Sequence, residues 1–165
     1  MSNFLDTIKN SSIQDYIIEV RGYANEMTIE VKSEQVKEIL TVLKTQFGFN
    51  YLADITASDL YTDDKRFELA YNIVNLEDRE RLRICCRVEE DEPTVDSVID
   101  VWPAAEWFER EAYDMMGIRF NDHPDLRRMF MPEDFQYHPL RKEFPQLGLP
   151  GSIDLPEKDP PKEYK

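Results

Sequence analysis

Cysteine, histidine and glycine are all scarce in this chain of 165 residues, and each shortage removes a class of chemistry. The two cysteines, Cys85 and Cys86, are adjacent, so there is no CxxC pair, no four-thiolate set for an iron–sulfur cluster and no disulfide framework. The chain is therefore expected to be made and kept in a reducing compartment. Two histidines, His123 and His138, poorly supply a His-based metal site, and the five glycines form no phosphate-cradling loop. No apolar run approaches the ~18 residues that span a bilayer. The opening Met1-Ser2-Asn3-Phe4-Leu5-Asp6 has neither a basic region nor an apolar stretch behind it, so no signal peptide is expected.

Positive charge is short as well. The formal net charge is −14, made of −13 over residues 1–116 (12 Lys+Arg against 25 Asp+Glu), 0 over 117–145 (5 against 5) and −1 over 146–165 (3 against 4). An acidic body disfavours generic nucleic-acid binding and adhesion to an anionic membrane, both of which need phosphate neutralisation. The plainest account of that charge is solubility.

What is present divides at the prolines. Eight of the ten lie at or after Pro124, and the chain before them alternates between strand and helix patterns. Tyr16, Ile18 and Val20 alternate with Ile17, Glu19 and Arg21, and Met27, Ile29 and Val31 with Thr28 and Glu30, which predicts a hairpin turning over Gly22 to Glu26. A helix follows, with Ser33 as cap, Gly48 just past its end, and Val36, Ile39, Leu40, Leu43 and Phe47 on one face. Three strands are expected over about 51–58, 67–73 and 82–88, with Cys85 and Cys86 on opposite faces. A second helix is expected from Pro103 to Met116, stopped by Gly117 and burying Ala104, Trp107, Phe108, Ala112 and Met115. Glu111 falls inside that apolar arc, where a carboxylate needs a cation or several donors.

One-sided alternation points to an α+β fold: a two-layer domain over residues 1–117 with a mixed or antiparallel sheet, covered by helices on one face. Residues 118–165 are expected to form an extended proline-rich C-terminal arm. Its prolines exclude long helices and central strands. Yet Ile118, Phe120, Leu126, Met129, Phe130, Phe135, Leu140, Phe144, Leu147, Leu149, Ile153 and Leu155 make it too apolar for a disordered linker. Such an arm is expected to lie on a partner protein.

Within the arm two segments rhyme: His123-Pro124-Asp125-Leu126-Arg127-Arg128 and His138-Pro139-Leu140-Arg141-Lys142. Each supplies a histidine, a stiff proline, a leucine and two cations suited to clamping carboxylates. Arg127, Arg128 and Arg141 are expected to form structural ion pairs, with Glu111 as the internal partner and Glu109, Arg110 and Asp114 close by on the helix. Phe130, Phe135, Leu140 and Phe144 are the expected apolar anchors. No nucleophile or metal accompanies the carboxylates, so a free-standing acid–base enzyme is the weaker reading, and turnover by the isolated chain would be its mark. A nucleic-acid module built on the arm is disfavoured by that segment's zero net charge.

The run Glu109-Arg110-Glu111-Ala112-Tyr113-Asp114-Met115-Met116-Gly117-Ile118, followed by the two His-Pro segments and the close Lys142-Glu143-Phe144-Pro145, resembles the C subunit of the proton-pumping NADH:quinone oxidoreductase, respiratory complex I. Trp102-Pro103-Ala104-Ala105-Glu106-Trp107-Phe108 and Asp54-Ile55-Thr56-Ala57 match the same family pattern. Tyr137 stands where that family usually has glycine. The resemblance implies a non-catalytic structural subunit of a translocase, peripheral on the cytoplasmic face of a bacterial inner membrane. It implies no cofactor in this chain, with FMN and iron–sulfur clusters in other subunits. The implied partners are the large hydrogenase-like subunit of the quinone site, the small cluster-bearing subunit and other peripheral-arm subunits, with no nucleic acid and no insertion into the membrane. An equivalent scaffold in a membrane-bound hydrogenase or a ferredoxin-fed quinone reductase is the alternative.

Overall fold

A computed structural model describes residues 13–24, 26–62 and 65–145. The apolar residues Leu147, Leu149, Ile153 and Leu155 of the expected arm lie outside the described residues. No helix among the described residues is long and apolar enough to cross a membrane.

The first two strands, β1 (Ile17–Tyr23) and β2 (Glu26–Val31), form the expected antiparallel hairpin, turning through Ala24 at a φ of 48°. A single 3-10 turn over Ser33–Gln35 then leads into α1 (Val36–Phe47), so Ser33 opens a tighter turn instead of capping the helix with its side chain. Val36, Ile39, Leu40 and Leu43 are buried along one stripe, as their spacing predicts. Gly48 ends the helix at a φ of 74°, a left-handed conformation that costs glycine little, and Phe49 N–H closes back on Leu43 O at 3.2 Å.

Three strands follow as a meander: β3 (Tyr51–Asp59), β4 (Phe67–Asn75) and β5 (Glu80–Val88). The sheet order is β1-β2-β5-β4-β3. Because α1 carries the chain across the sheet, β5 returns beside β2 in parallel, and the sheet is mixed. Alternate residues of β4 (Phe67, Leu69, Tyr71, Ile73) and β5 (Leu82, Ile84, Cys86, Val88) face the helices and make the centre of the core.

The opposite face of the sheet carries charge. Arg21 is bonded to Glu30, and Arg87 lies 3.5 Å from Glu30 and 3.7 Å from Glu68. Cys85, expected at the surface, is only 3% exposed beneath this layer, between its cross-strand neighbours Glu30 and Ala70. Burial pushes its thiol up to about 11 and raises that of Cys86 further. Both cysteines stay protonated and act as small packing groups.

Tyr71 is fully buried and its hydroxyl has no hydrogen-bond partner among the described residues. An unpaired buried hydroxyl costs roughly 1–3 kcal/mol, so Tyr71→Phe is expected to be neutral or to stabilise by about 1 kcal/mol, read as an unchanged or higher melting temperature. A drop of several degrees would mean that the hydroxyl is satisfied in solution.

The remaining elements build a small second layer. Strand β6 (Thr94–Asp96) pairs in parallel with β7 (Arg119–Asn121), and α2 (Ala105–Met116) crosses between them. Pro103 sits in the turn before α2, where Ala105 N–H bonds to Trp102 O at 2.9 Å, so the helix starts later than its proline suggests. The buried face of α2 is Ala105, Glu109, Ala112 and Met116, a 4-3-4 spacing, while Ala104 and Trp107 are exposed. The stripe is rotated from the expected one because a carboxylate stands in its middle. Ile118 and Phe120, expected in the arm, are buried within the core, so the packing runs unbroken past residue 117.

Candidate functional site

Residues 122–145 form no further helix or strand, yet they are held tightly around α2. The centre of that hold is Asp114, whose side chain is wholly buried. Its Oδ2 accepts three consecutive backbone N–H groups, from Met129 (3.0 Å), Phe130 (2.7 Å) and Met131 (3.0 Å). Its Oδ1 accepts from the Arg128 guanidinium at 2.8 Å. Successive amides converging on one oxygen make an anion nest, and here the anion is the chain's own carboxylate. Burial alone would raise the Asp114 pKa, but the three amides and Arg128 outweigh it and hold the group below its ordinary value.

The two His-Pro segments bind different parts of the same helix. In the first, the His123 ring accepts from Asp125 N–H at 3.0 Å through Nδ1, which leaves Nε2–H to point at Glu106 O, 3.4 Å away. Arg110 reaches over from the helix and donates to Arg127 O at 3.1 Å and Arg128 O at 3.4 Å. Arg127 is exposed and pairs only with its neighbour Asp125 among the described residues. The second segment caps the helix terminus carbonyl by carbonyl. His138 Nδ1 lies 3.0 Å from Asp114 O, Leu140 N–H donates to Met115 O at 3.1 Å, and Arg141 Nε donates to Met116 O at 2.8 Å. These are carbonyls that a helix end leaves unpaired, and a cation suits the negative end of the helix dipole. Burial, with Arg141 and Arg128 nearby, lowers the His138 pKa, so the ring is neutral and donates through Nδ1–H.

Gly117 makes this closeness possible. It adopts a φ of 77°, and a Cβ there would lie 2.5 Å from His138 Nε2 and 2.6 Å from an Arg141 nitrogen. Further along, Phe135 packs edge-on against Tyr137 and Phe144, which are tilted to each other, with ring centroids 5.7–6.2 Å apart, a small aromatic cluster belonging to the arm itself.

A second anchor lies at the far end of β3. Arg66 donates to both oxygens of Asp59 (2.8 and 2.6 Å), to Glu90 at 2.5 Å and to Glu143 of the arm. Asp59 also accepts Lys142 N–H at 2.8 Å. The Arg66 side chain is 5% exposed and that of Asp59 1%. The hydrogen bonds from Arg66 hold the Asp59 carboxyl well below the usual carboxylate range. Arg66 and Arg141 both stack on the Phe67 ring, at 5.1 and 4.9 Å.

Several sequence expectations change place. Glu111 is exposed and makes no ion pair among the described residues; the arginine clamp closes on Asp114 instead, because Asp114 faces the returning arm. Glu109 faces the core and holds the turn before α2, with Val98 N–H donating to it at 2.7 Å. Arg128 pairs with Asp114, whereas Arg141 chiefly donates to the Met116 carbonyl. Lys142 contributes its backbone N–H. Phe135 and Phe144 are half-buried, but Phe130 and Leu140 point outward, 62% and 55% exposed, as does Trp107 with Arg110 stacked on it at 5.2 Å. Asp59 and Arg66 escape sequence reasoning, since their pairing depends on a turn between β3 and β4 that no spacing rule flags. Residues 118–145, expected to lie on another protein, also bond to their own domain. Among the described residues no group of His, Cys, Asp and Glu could hold a metal ion.

Residues 29–149 match the family model described as "Respiratory-chain NADH dehydrogenase, 30 Kd subunit". The C subunit of NADH-quinone oxidoreductase from Geotalea uraniireducens is 46% identical over 132 residues, 80% of each chain. Its counterpart from Geobacter metallireducens is 43% identical over 136 residues, 82% of this chain and 83% of its own. Among solved structures, a trypsin-resistant fragment (1–134) of Nqo5 is 34% identical with a TM-score of 0.64, covering 76% of this chain and 98% of the fragment. A chain from the membrane-bound sulfane sulfur reductase, an archaeal respiratory membrane complex, shares the fold at 21% identity and a TM-score of 0.80, covering 99% of this chain and 98% of that one.

Proposed function

The chain belongs to the family of the 30 Kd subunit of respiratory-chain NADH dehydrogenase, and from that premise we propose that it is a non-catalytic structural subunit of a proton-pumping NADH:quinone oxidoreductase. Its role is to clamp the large hydrogenase-like subunit of the quinone site, beside the small cluster-bearing subunit, from the cytoplasmic side of the membrane. FMN and iron–sulfur clusters belong to other subunits in this reading.

One observation carries it. The arm is already folded against α2, yet the surface they share leaves Trp107, Phe130, Tyr137 and Leu140 47–62% exposed. The backbone amides of Phe130 and Leu140 are bonded to Asp114 and to Met115 O, and apolar groups on a backbone held this way suit a permanent interface, because little ordering entropy is lost when a partner covers them. Rim arginines are already committed to carbonyls and carboxylates, so apolar contact dominates the recognition.

The test is co-purification from native membranes. The tagged wild-type chain is expected to retrieve the large subunit and an NADH-binding flavoprotein subunit. The triple variant Trp107→Ser, Phe130→Ser, Leu140→Ser is expected to lose at least tenfold of the large subunit while keeping its circular dichroism spectrum. Retrieval at the wild-type level by the triple variant overturns the clamp, and a wild-type preparation without the flavoprotein overturns NADH as donor.

A further inference from the structure

Glu109 is a carboxylate in the wrong place for a charge. It is 0% exposed, in the middle of the face that α2 presents to the core. Oε1 accepts from Val98 N–H at 2.7 Å, and the Ser97 side chain lies near enough to favour the ionised carboxyl. Oε2 has no partner among the described residues. An ionised carboxylate has about four lone-pair sites to satisfy, and one backbone amide with a nearby hydroxyl leaves it short of donors.

The surrounding charges do little to help. Lys37 of α1 acts on Glu109 favourably, but its ammonium is engaged by Asp100 at 3.1 Å, and Asp100 opposes it. From β4 comes the Tyr71 hydroxyl, itself buried without a partner among the described residues and sensing both Glu109 and Asp96 of β6. Each neighbouring element thus offers Glu109 either a neutral group or a cation already balanced. Desolvation dominates and pushes the carboxyl up to about 7.

We propose that Glu109 is a proton-operated staple, which in its neutral form seats α2 on the 97–102 turn and in its ionised form loosens that seam. The consequence reaches the arm, because α2 is sandwiched between them: Glu109 on one side grips the turn, and Asp114 on the other grips residues 128–131. Docking of the arm's platform is thereby coupled to pH near neutrality.

The folded value lies above the ordinary 4.5, so the stabilisation is complete below about pH 4.5 and is lost as pH rises through about 7. Amide exchange reads this directly in the full chain. Protection at Val98–Trp102 and along α2 is expected to fall about tenfold per pH unit between pH 5 and 7, after correction for intrinsic exchange, and to level off above that. In Glu109→Gln the same amides should show no such slope. Should that variant fail to fold, a carbon-13 titration of glutamate-labelled wild-type chain decides: a carboxyl midpoint above 6 supports the staple. Wild-type protection that is flat with pH, a slope retained in the glutamine variant, or no carboxyl midpoint above 6 overturns it.

Discussion

Asp114→Ala is expected to release residues 123–145 from α2 and to destabilise the chain by about 3–5 kcal/mol, the range for stripping one partner from a buried ion pair. The alanine removes the acceptor for three backbone amides and the counter-charge of Arg128, whose side chain is only 11% exposed. Unlike a core truncation, this change leaves polar groups behind with no protein partner, so the arm's best remaining option is to turn those amides toward water. Trypsin provides the readout, since Arg127, Arg128, Arg141 and Lys142 all lie in the arm. Cleavage after these residues should accelerate at least tenfold in the variant while the sheet domain stays intact. Asp114→Asn should fall between the two, because one amide oxygen still accepts but the charge is gone. The wild-type contribution also carries a pH signature. A depressed folded-state pKa means stability that is present above the ordinary value of 3.8 and lost as pH falls through the folded value. Acid should therefore loosen the wild-type arm and have less effect on the asparagine variant's. An arm as resistant to trypsin in Asp114→Ala as in the wild type would mean that the nest is incidental.

Legibility in the sequence follows apolar periodicity and stops where carboxylates are buried. Strands β4 and β5 are readable because Phe67, Leu69, Tyr71 and Ile73 alternate with Glu68, Ala70 and Asn72, and Leu82, Ile84, Cys86 and Val88 with Arg83, Cys85 and Arg87. The α1 stripe is readable for the same reason at a period of 3.6. On α2 hydropathy misplaces the face, choosing Trp107 over Glu109 because it ranks an indole inward and a carboxylate outward. Which carboxylate is buried depends on where donors lie, and those of Asp114 are main-chain amides 15–17 residues further on. Nearly every residue type carries the same amide, so no side-chain pattern announces the nest. For the same reason the arm's hold on its own domain is not announced by its sequence. Its prolines correctly exclude helix and central strand, but irregular backbone is satisfied equally well by a helix end offering carbonyls and by one buried aspartate. The run from Glu109 to Ile118, which resembles the family's pattern, holds Asp114 and also Gly117, whose missing Cβ admits His138 and Arg141.

At the other anchor the expected result is asymmetric: Arg66→Met should cost about 3–5 kcal/mol, and Asp59→Asn clearly less. Arg66 is shared by Asp59, Glu90 and Glu143, and it is the cation that offsets all three. Methionine fills similar volume but leaves the Asp59 carboxylate, 1% exposed, with the Tyr61 and Lys142 amides as its remaining donors among the described residues. Arg141 stands 4.0 Å from Glu143 and cannot replace the bidentate contact. Removing Asp59's charge instead leaves Arg66 bonded to Glu90 and Glu143, each about half exposed and each worth at most about 1 kcal/mol. Acid distinguishes the two variants further. With Arg66 gone, only the Lys142 and Tyr61 amides among the described residues still oppose desolvation, and the Asp59 pKa should rise from well below its ordinary value of 3.8 to above it. The methionine variant can then shed its buried charge by protonation, so its deficit relative to wild type should shrink between pH 7 and pH 4 in urea unfolding. The deficit of Asp59→Asn should shrink only as pH falls below about 4, where the wild-type salt bridge begins to lose its advantage over the unfolded chain. Equal deficits for the two variants at pH 7 would show that Arg66 serves Asp59 alone and that the tie to Glu143 contributes nothing to holding the arm.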